Sequence, residues 1–448
     1  MTAWPSPSHT KPTGTPHRFD RSRPTAEVVP RPEIELPPLT SRSRRLFKHP
    51  LLRHHNRLVA LVLAANLACA GYGIADGGIA TDTLADAAIA NFAVAILIRQ
   101  QYVINLLFRM AGSAPVSWPL RIRWTLGKVY HYGGLHIGGG VAGAAWSLAL
   151  TGVLIRHADQ VDATTLAISC ALAAIVILMV FTALPRVRNS FHDRFEQVHR
   201  FGGWTVLILV WAQTARSASK PSLWVLALLT LSIALPWSRL RRVPVVVERP
   251  SAHIAIAHFD YRATPWPGSA TNISRDPLRE WHTFANLPPA ADGTGFRLTI
   301  SRAGDWTGAF IDDPPTHLWV RGVPTAGVAY IEKLFRRVVY VATGSGIGPC
   351  LYHLISAQVP AKLVWATRDP RATYGDAMVD EILGAHPDAL LWDTTEHGKP
   401  DMVRLAYAAY RDFDAEAVIC ISNKRLTWEV VHGLESRGVP AFGAIWDS

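Results

Sequence analysis

Cysteine is scarce in this chain. Its 448 residues hold four, Cys69, Cys170, Cys350 and Cys420, all far apart and none in a CxxC pair. That spacing excludes a disulfide framework, a zinc ligand set and a cysteine-ligated iron–sulfur cluster. Charge is scarce as well, at 18% of residues, and acids are outnumbered, with 34 Asp and Glu against 45 Lys and Arg for a net +11. Soluble nucleic-acid binders are basic and charge-rich, whereas this chain is 49% hydrophobic. A basic excess on a charge-poor chain instead fits apolar spans flanked by basic loops. The first 50 residues lack apolar periodicity and any signal-type apolar core, so they read as a disordered basic tail, not a cleaved export signal.

What the chain does have is long apolar runs. Six stand out, at roughly 57–76, 86–108, 129–155, 162–184, 198–215 and 222–240. Each approaches the ~20 residues that cross ~30 Å of hydrocarbon. The second carries Arg99, Gln100 and Gln101 in its middle, which must face protein or a cavity. Basic residues gather before the first run, after the second (Arg109, Arg121, Arg123, Lys128), after the fourth and after the sixth. The loops between carry Asp82, Asp86, Asp159 and Asp162 with a single Arg156. The positive-inside rule then predicts a multi-pass protein of the cell membrane with both termini cytoplasmic, the bilayer as its partner and no nucleic acid. The excess charge reads largely as a topology signal.

After Arg242 short β-like runs separated by Gly and Pro turns predict a small antiparallel barrel. From Arg337 onward, strand-like runs at 338–342, 362–366 and 417–421 alternate with helical segments, which predicts a doubly wound α/β domain. Between the first of these strands and its helix lies Thr343-Gly344-Ser345-Gly346-Ile347-Gly348-Pro349. Glycines there allow close backbone approach, and the helix start offers free N–H groups to a pyrophosphate. A tight turn of no further meaning would look the same in isolation. The expected boundaries are a tail at 1–50, a six-span domain at 51–243, a barrel at 244–330 and an α/β domain at 331–448.

The glycine turn behind a barrel resembles the ferredoxin-reductase superfamily, in which a flavin-binding barrel precedes an NAD(P)-binding domain. Trp281-His282-Thr283-Phe284-Ala285 resembles the His-Pro-Phe-Thr flavin motif of ferric reductases and NADPH oxidases, with Thr283 for the proline and Ala285 for the threonine. Gly304-Asp305-Trp306-Thr307, expected on a strand pair, is similar to another segment of those enzymes. Arg321-Gly322-Val323-Pro324 stands where the family has Asp-Gly-Pro, with the following glycine displaced to Gly327. The resemblance implies that Trp281, His282, Thr283, Phe284, Gly322 and Pro324 contact FAD and that the 343–349 turn binds NAD(P)H. It further implies that Arg368 reaches the nucleotide, although a solvated loop charge fits that arginine equally well. Cys420 at a late strand end and the near-terminal Trp446 are the implied catalytic positions, lining the nicotinamide and flavin sites.

The third and fifth runs begin with Tyr130-His131-Tyr132-Gly133-Gly134-Leu135-His136 and with Val198-His199-Arg200. Two imidazoles on separate helices suit a bis-histidine haem b. The ferric reductase transmembrane domain, which this part is similar to, ligates haem in that way. His136 and His199 are the implied metal ligands, with His131 as an alternative to His136, and the Gly138–Gly140 and Gly202-Gly203 runs would make room for a macrocycle. The second histidine of each helix in that family is replaced here by Ala149 and Leu150 and by Ala212 and Gln213, so an outer haem is expected to be absent.

The whole of 55–448 is similar to ferric-reductase-like membrane proteins and to the reductase-like part of fungal adenylate-forming transmembrane proteins. The resemblance implies an NAD(P)H-dependent flavin oxidoreductase passing electrons through FAD to a single inner haem or an unknown acceptor. A catalytically weakened nucleotide-binding sensor or scaffold is the alternative. A transporter with a regulatory nucleotide domain is supported only by span number and the Arg99-Gln100-Gln101 cluster. The sequence leaves NADH versus NADPH and the oligomeric state open, a homo-oligomer included.

Overall fold

The computed structural model describes residues 34–217, 220–289 and 294–443. Helix α1 (Arg42–Leu46) and a short 3-10 turn precede α2 (His54–Ala75), α3 (Thr81–Leu97) and α4 (Gln101–Gly112). The predicted run 86–108 is not one straight span. It breaks at Ile98–Gln100, where the N–H groups of Arg99 and Gln100 donate to carbonyls three residues back (3.1 and 3.0 Å), and α4 leaves α3 at 71°. Polar residues mid-run mark the break, as an unsheltered guanidinium and two amides inside hydrocarbon would be costly. Helix α5 (Leu120–Leu126) passes through a 3-10 segment (Gly127–Tyr132) into α6 (Gly133–Arg156). Then come α7 (Ala163–Ala183), α8 (Pro185–Ser190), α9 (His192–Ser217) and α10 (Lys220–Ser238).

Among the described residues four helical stretches are long and apolar enough to cross a membrane: 54–75, 120–156, 163–183 and 221–238. The bent α3–α4 pair makes a fifth if taken as one span. The expected fifth run, 198–215 within α9, falls short, as the first nine residues of that helix include His192, Asp193, Arg194, Glu196, His199 and Arg200. Helix α6 packs through glycine. A Cβ at Gly134 would stand 2.2 Å from the His55 carbonyl oxygen, at Gly138 2.8 Å from Val62, and at Gly139 2.8 Å from the Asn91 carbonyl. Such close backbone approach is how apolar helices associate when lipid offers no hydrophobic drive. Asn66 and Asn91 exchange amide hydrogen bonds (3.0 and 2.7 Å), and the Trp146 indole donates to Asn66 (2.7 Å).

Helix α10 runs directly into β1 (Leu240–Glu248). With β2 (Ile254–Phe259), β3 (Ser269–Ser274), β4 (His282–Leu287), β5 (Phe296–Ser301) and β6 (His317–Arg321) it forms a six-stranded antiparallel barrel, in the order β4-β5-β2-β1-β6-β3 and closed by pairing of β3 with β4. Strand β7 (Thr325–Ala326) extends β3. Gly304–Thr307 is not on a strand pair as expected. Gly304 caps a short helix, α11 (Asp305–Asp312), whose Phe310 and Ile311 fill the barrel core.

Five parallel strands follow: β8 (Val338–Thr343), β9 (Ala361–Thr367), β10 (Leu390–Asp393), β11 (Ala417–Ile421) and β12 (Ala441–Phe442), in the order β10-β9-β8-β11-β12. Alternation along the strands sends Tyr340, Leu363 and Ile419 to the face of α12 (Ile347–Ser356), α13 (Pro370–Tyr374) and α14 (Asp376–Ala385). Val341, Val364 and Cys420 face the other side, after α15 (Thr394–His397), where α16 (Met402–Asp412) and α17 (Lys424–Glu435) pack. Fully buried residues over nearly every strand position are what a sheet covered on both faces requires.

The helical half is bolted to this domain. Arg123 of α5 is 3% exposed; it grips Glu416 bidentately (2.6 and 3.0 Å) and the Leu334 carbonyl (2.8 Å). Lys128 reaches Glu435 (2.6 Å) and the Ala441 carbonyl (2.7 Å), and Lys48 stands 3.5 Å from the same Glu435. Part of the basic excess read as topology is therefore spent on buried ion pairs. The tail expectation is corrected too. Residues 1–33 lie outside the described residues, but Ile34 is buried and the backbone N–H and hydroxyl of Thr40 both donate to the Ser436 carbonyl at 2.9 Å.

Candidate functional site

The order of the parallel sheet places a crevice where β8 meets β9 on one side and β11 on the other, the switch point at which open α/β sheets bind ligands. The 343–349 turn lies at its floor. Gly344 adopts φ +50°, a left-handed value that favours glycine, and its carbonyl accepts the Trp365 indole N–H at 3.0 Å. Gly346 has a packing role: a Cβ there would lie 2.0 Å from the Ile421 carbonyl oxygen. Ile347 is buried, Pro349 half-buried, and Ser345 is the exposed residue of the turn. A hydrogen bond between the Thr343 and Ser422 hydroxyls ties the ends of β8 and β11. Arg368, after β9, is exposed with no ion pair among the described residues, while the neighbouring Asp369 caps α13. Gly348 packs against the barrel, its Cβ position 3.8 Å from Thr299 on β5. The crevice and the barrel face are thus adjacent.

Strand β4 carries Trp281 at its threshold and His282, Thr283 and Phe284 along it. The structure gives these side chains other partners than expected. Trp306 of α11 stacks on His282 (ring centroids 4.0 Å, 25°) and lies 6.1 Å from Phe284, so these two rings are covered by the protein's own indole. His282 also pairs with Glu280 at 2.9 Å, and the Thr283 hydroxyl donates to Asn272 at 2.5 Å. Burial pushes the Glu280 carboxyl up, but His282 and the backbone N–H groups of Asp276 and Arg275 hold it below its usual value. Gly322 abuts the Arg239 backbone (Cβ position 3.1 Å from its oxygen), and the Pro324 carbonyl accepts the Asn105 amide of α4 (2.9 Å), whose own oxygen accepts the Ala326 N–H (2.8 Å). Around the expected FAD contacts Gly322 and Pro324, one side of 322–326 is thus engaged by the helical half. Sequence reading missed Asn105, an ordinary amide inside an apolar run with no local signal.

Arg321, next to that loop, has its guanidinium carbon 4.3 Å from the centre of the Trp281 ring and has no ion-pair partner within reach among the described residues. Burial, reinforced by neighbouring Arg200 and opposed by Glu196, lowers its guanidinium to about 10. Arg200, at the start of α9, donates to the Leu278 carbonyl (2.5 Å), so the histidine-bearing helix touches the β3–β4 loop. The Thr299 hydroxyl and the Trp306 indole N–H are buried with no hydrogen-bond partner among the described residues. An unpaired guanidinium beside an indole fits an aromatic ligand bearing phosphate.

Cys420 is fully buried on the α16–α17 face, and burial pushes its thiol up to about 12 against a hydrogen bond from Thr427. It does not open onto the crevice; the side-chain alternation of β11 turns it away. Trp446 lies outside the described residues.

The imidazoles of His136 and His199 face each other across α6 and α9 with centroids 6.5 Å apart. His136 Nδ1 is 2.8 Å from the Ala95 carbonyl, leaving Nε2 unengaged. The glycine cradle expected for a macrocycle is filled in part: Gly138 and Gly139 take up α2 and α3 and Gly202 meets Met179 of α7 at 3.1 Å, whereas a Cβ at Gly140 would meet nothing within 4 Å and one at Gly203 only Met179 at 4.0 Å. His131 stacks on His54 (5.8 Å). Among the described residues no three His, Cys, Asp or Glu side chains gather to hold a metal ion. The haem expectation therefore finds two rings facing each other and a glycine cradle that is only partly open.

Residues 328–448 match the family described as adenylate-forming reductase 03009, C-terminal domain. The chain is 41% identical over 422 residues to Adenylate-forming reductase 03009 of Coprinopsis cinerea, which covers 90% of this chain and 41% of that protein. Adenylate-forming reductase 06235 of the same fungus is 40% identical over 435 residues, covering 93% of this chain and 42% of that protein. The chain thus spans about two fifths of the length of the curated relatives it matches. Among solved structures, phthalate dioxygenase reductase overlaps 47% of this chain and 69% of that one at 18% identity and a TM-score of 0.36. Ferredoxin-NADP+ reductase of Plasmodium falciparum overlaps 47% and 97% at 9% identity and a TM-score of 0.37.

Proposed function

We propose that this chain is a membrane-anchored, flavin-dependent NAD(P)H oxidoreductase with its barrel and α/β domain on the cytoplasmic side. The observation that carries the reading is the adjacency of the switch-point crevice to the barrel face, with Gly348 against Thr299. A nicotinamide held in one would meet a flavin held in the other. Alignment of two proteins named as reductases over nine tenths of this chain supports an oxidoreductase.

When bound, FAD would supply hydride acceptance and one-electron release. Arg321, held over Trp281, would neutralise its phosphates. The loop 322–326, pinned by Asn105, would keep that end in register with the helices. In the crevice, Ser345 and the first N–H groups of the turn would receive the dinucleotide pyrophosphate, and Arg368 would reach its outer phosphate or ribose. The reading routes no step through haem, and the acceptor is a small molecule or partner reached from the barrel side. Ser345→Glu tests the crevice: NAD(P)H affinity should fall at least about tenfold through charge repulsion (about 1.4 kcal/mol) while flavin is retained. Unchanged affinity would remove the nucleotide from this turn.

A second reading, binding without turnover, is favoured by Trp306 covering His282 and Phe284. Sustained NAD(P)H oxidation with an artificial acceptor would rule it out.

A further inference from the structure

Helix α4 and the loop after it are left over by this reading. The helix is two-faced. Ile104, Phe108 and Ala111 are buried, two of them in the core shared with 328–335 of the soluble half. On the opposite face Tyr102, Leu106 and Met110 are exposed at helical spacing of four, with Met110 at 63%. The apolar exposure continues through Val116, Trp118 and Ile122. Three observations decide what covers this strip. The 71° bend at Ile98–Gln100 turns α4 sideways from a helix that is itself apolar and flanked by candidate spans, so α4 runs close to the plane such spans would define. The Tyr102 hydroxyl accepts a hydrogen bond from Arg239, the residue after the last apolar helix, which fixes α4 at the level where that helix ends. From Arg99 to Lys128 there is no Asp or Glu, while Arg109 and Arg121 are exposed beside the strip.

From these we infer that Gln101–Ile122 is an in-plane membrane element whose exposed face beds in the headgroup and acyl boundary of an anionic leaflet. An amphipathic helix with aromatic and long apolar side chains on one face and arginine at its edges has the composition for such immersion, typically ~5–10 Å deep. Its dry face holds the 322–326 loop through Asn105, so the same twelve-residue helix couples the bilayer surface to the candidate flavin-phosphate loop. The inference rests on the membrane reading above.

Nitroxide depth measurements on the full chain test both separately. Cys69 and Cys170 are exposed and would be replaced by Ser, whereas Cys350 and Cys420 are buried. Labels at Met110→Cys, at Ala174→Cys in the middle of α7 and at Glu429→Cys on the soluble α17 would be read in phosphatidylcholine–phosphatidylserine vesicles. The ratio of collision with oxygen to collision with a nickel chelate rises with depth. The expected order is Ala174→Cys highest, Met110→Cys several-fold above Glu429→Cys, and Glu429→Cys lowest. A Met110→Cys ratio equal to that of Glu429→Cys would place α4 in water. One equal to that of Ala174→Cys would make it a deep span, and low collision with both reagents plus dipolar broadening would put a second copy on the strip. Each of these overturns the inference while leaving the membrane reading intact. An aqueous ratio at Ala174→Cys would defeat both.

Discussion

At the residue scale, single side chains decide how the halves of the soluble region meet. Glu332 is fully buried between Tyr340, whose hydroxyl donates at 2.7 Å, and His353, whose Nδ1 lies 2.5 Å away. Removing His353 takes one of two hydrogen-bond partners from a fully buried side chain, a loss of about 1–3 kcal/mol. His353→Ala should show that loss in a denaturant melt; a loss below about 1 kcal/mol would mean Tyr340 alone suffices. Asn105→Ala abolishes two hydrogen bonds of a nearly buried amide and leaves the Ala326 N–H unpaired, about 1–3 kcal/mol. Its expected signature is faster flavin loss on gel filtration with an intact fold. Glycines divide along the same line. The 343–349 turn was legible as a motif, but the reason for Gly346 is the Ile421 carbonyl beneath it, a contact of the folded sheet alone. Cys420 shows the converse: strand end was the right place, yet the alternation of β11 turns its thiol into the core.

Among elements, periodicity served best where one environment covers a whole segment. The parallel strands and the apolar helices α2, α6 and α7 read clearly because each is apolar along its whole length. The reading failed where an element has two environments. The run 86–108 hid a 71° break between a membrane-type helix and an amphipathic one, and α11 was read as strand because its eight residues show less than three turns of pattern. Helix α5 and the 3-10 segment after it serve two masters as well, leading into an apolar helix but anchored through Arg123 and Lys128 to Glu416 and Glu435. Burial raises both carboxyls, and the cations and hydrogen-bond donors around them more than reverse it, so both sit below the ordinary glutamate value. A depressed folded-state value contributes stability that is full above the unfolded pKa, about 4.3, and lost as pH falls through the folded value. The melting temperature of detergent-solubilised protein should therefore not vary near neutrality on account of these pairs. It should drop below about pH 4.3, and Glu435→Gln should blunt that acid-side fall. An unchanged acid limb in Glu435→Gln would show that the anchor is energetically idle.

For the whole molecule, charge and hydropathy gave the division into an apolar helical half and a soluble half, and the sheet order gave the crevice. The docking between them was not legible, because it joins residues as far apart as Lys48 and Glu435 or Arg123 and Glu416. That docking turns a basic loop into a mount, and it brings α9, with His199 and Arg200, to the barrel loop at Leu278. The +11 excess is thus partly structural cement. The central claim is that nicotinamide and flavin meet between crevice and barrel. It is tested most directly by anaerobic titration of purified full-length protein, reconstituted with FAD, against NADH and NADPH while the visible spectrum is followed. The account predicts stoichiometric bleaching of the flavin band by at least one of the two nucleotides. Folded, FAD-loaded protein whose spectrum neither nucleotide changes would contradict it.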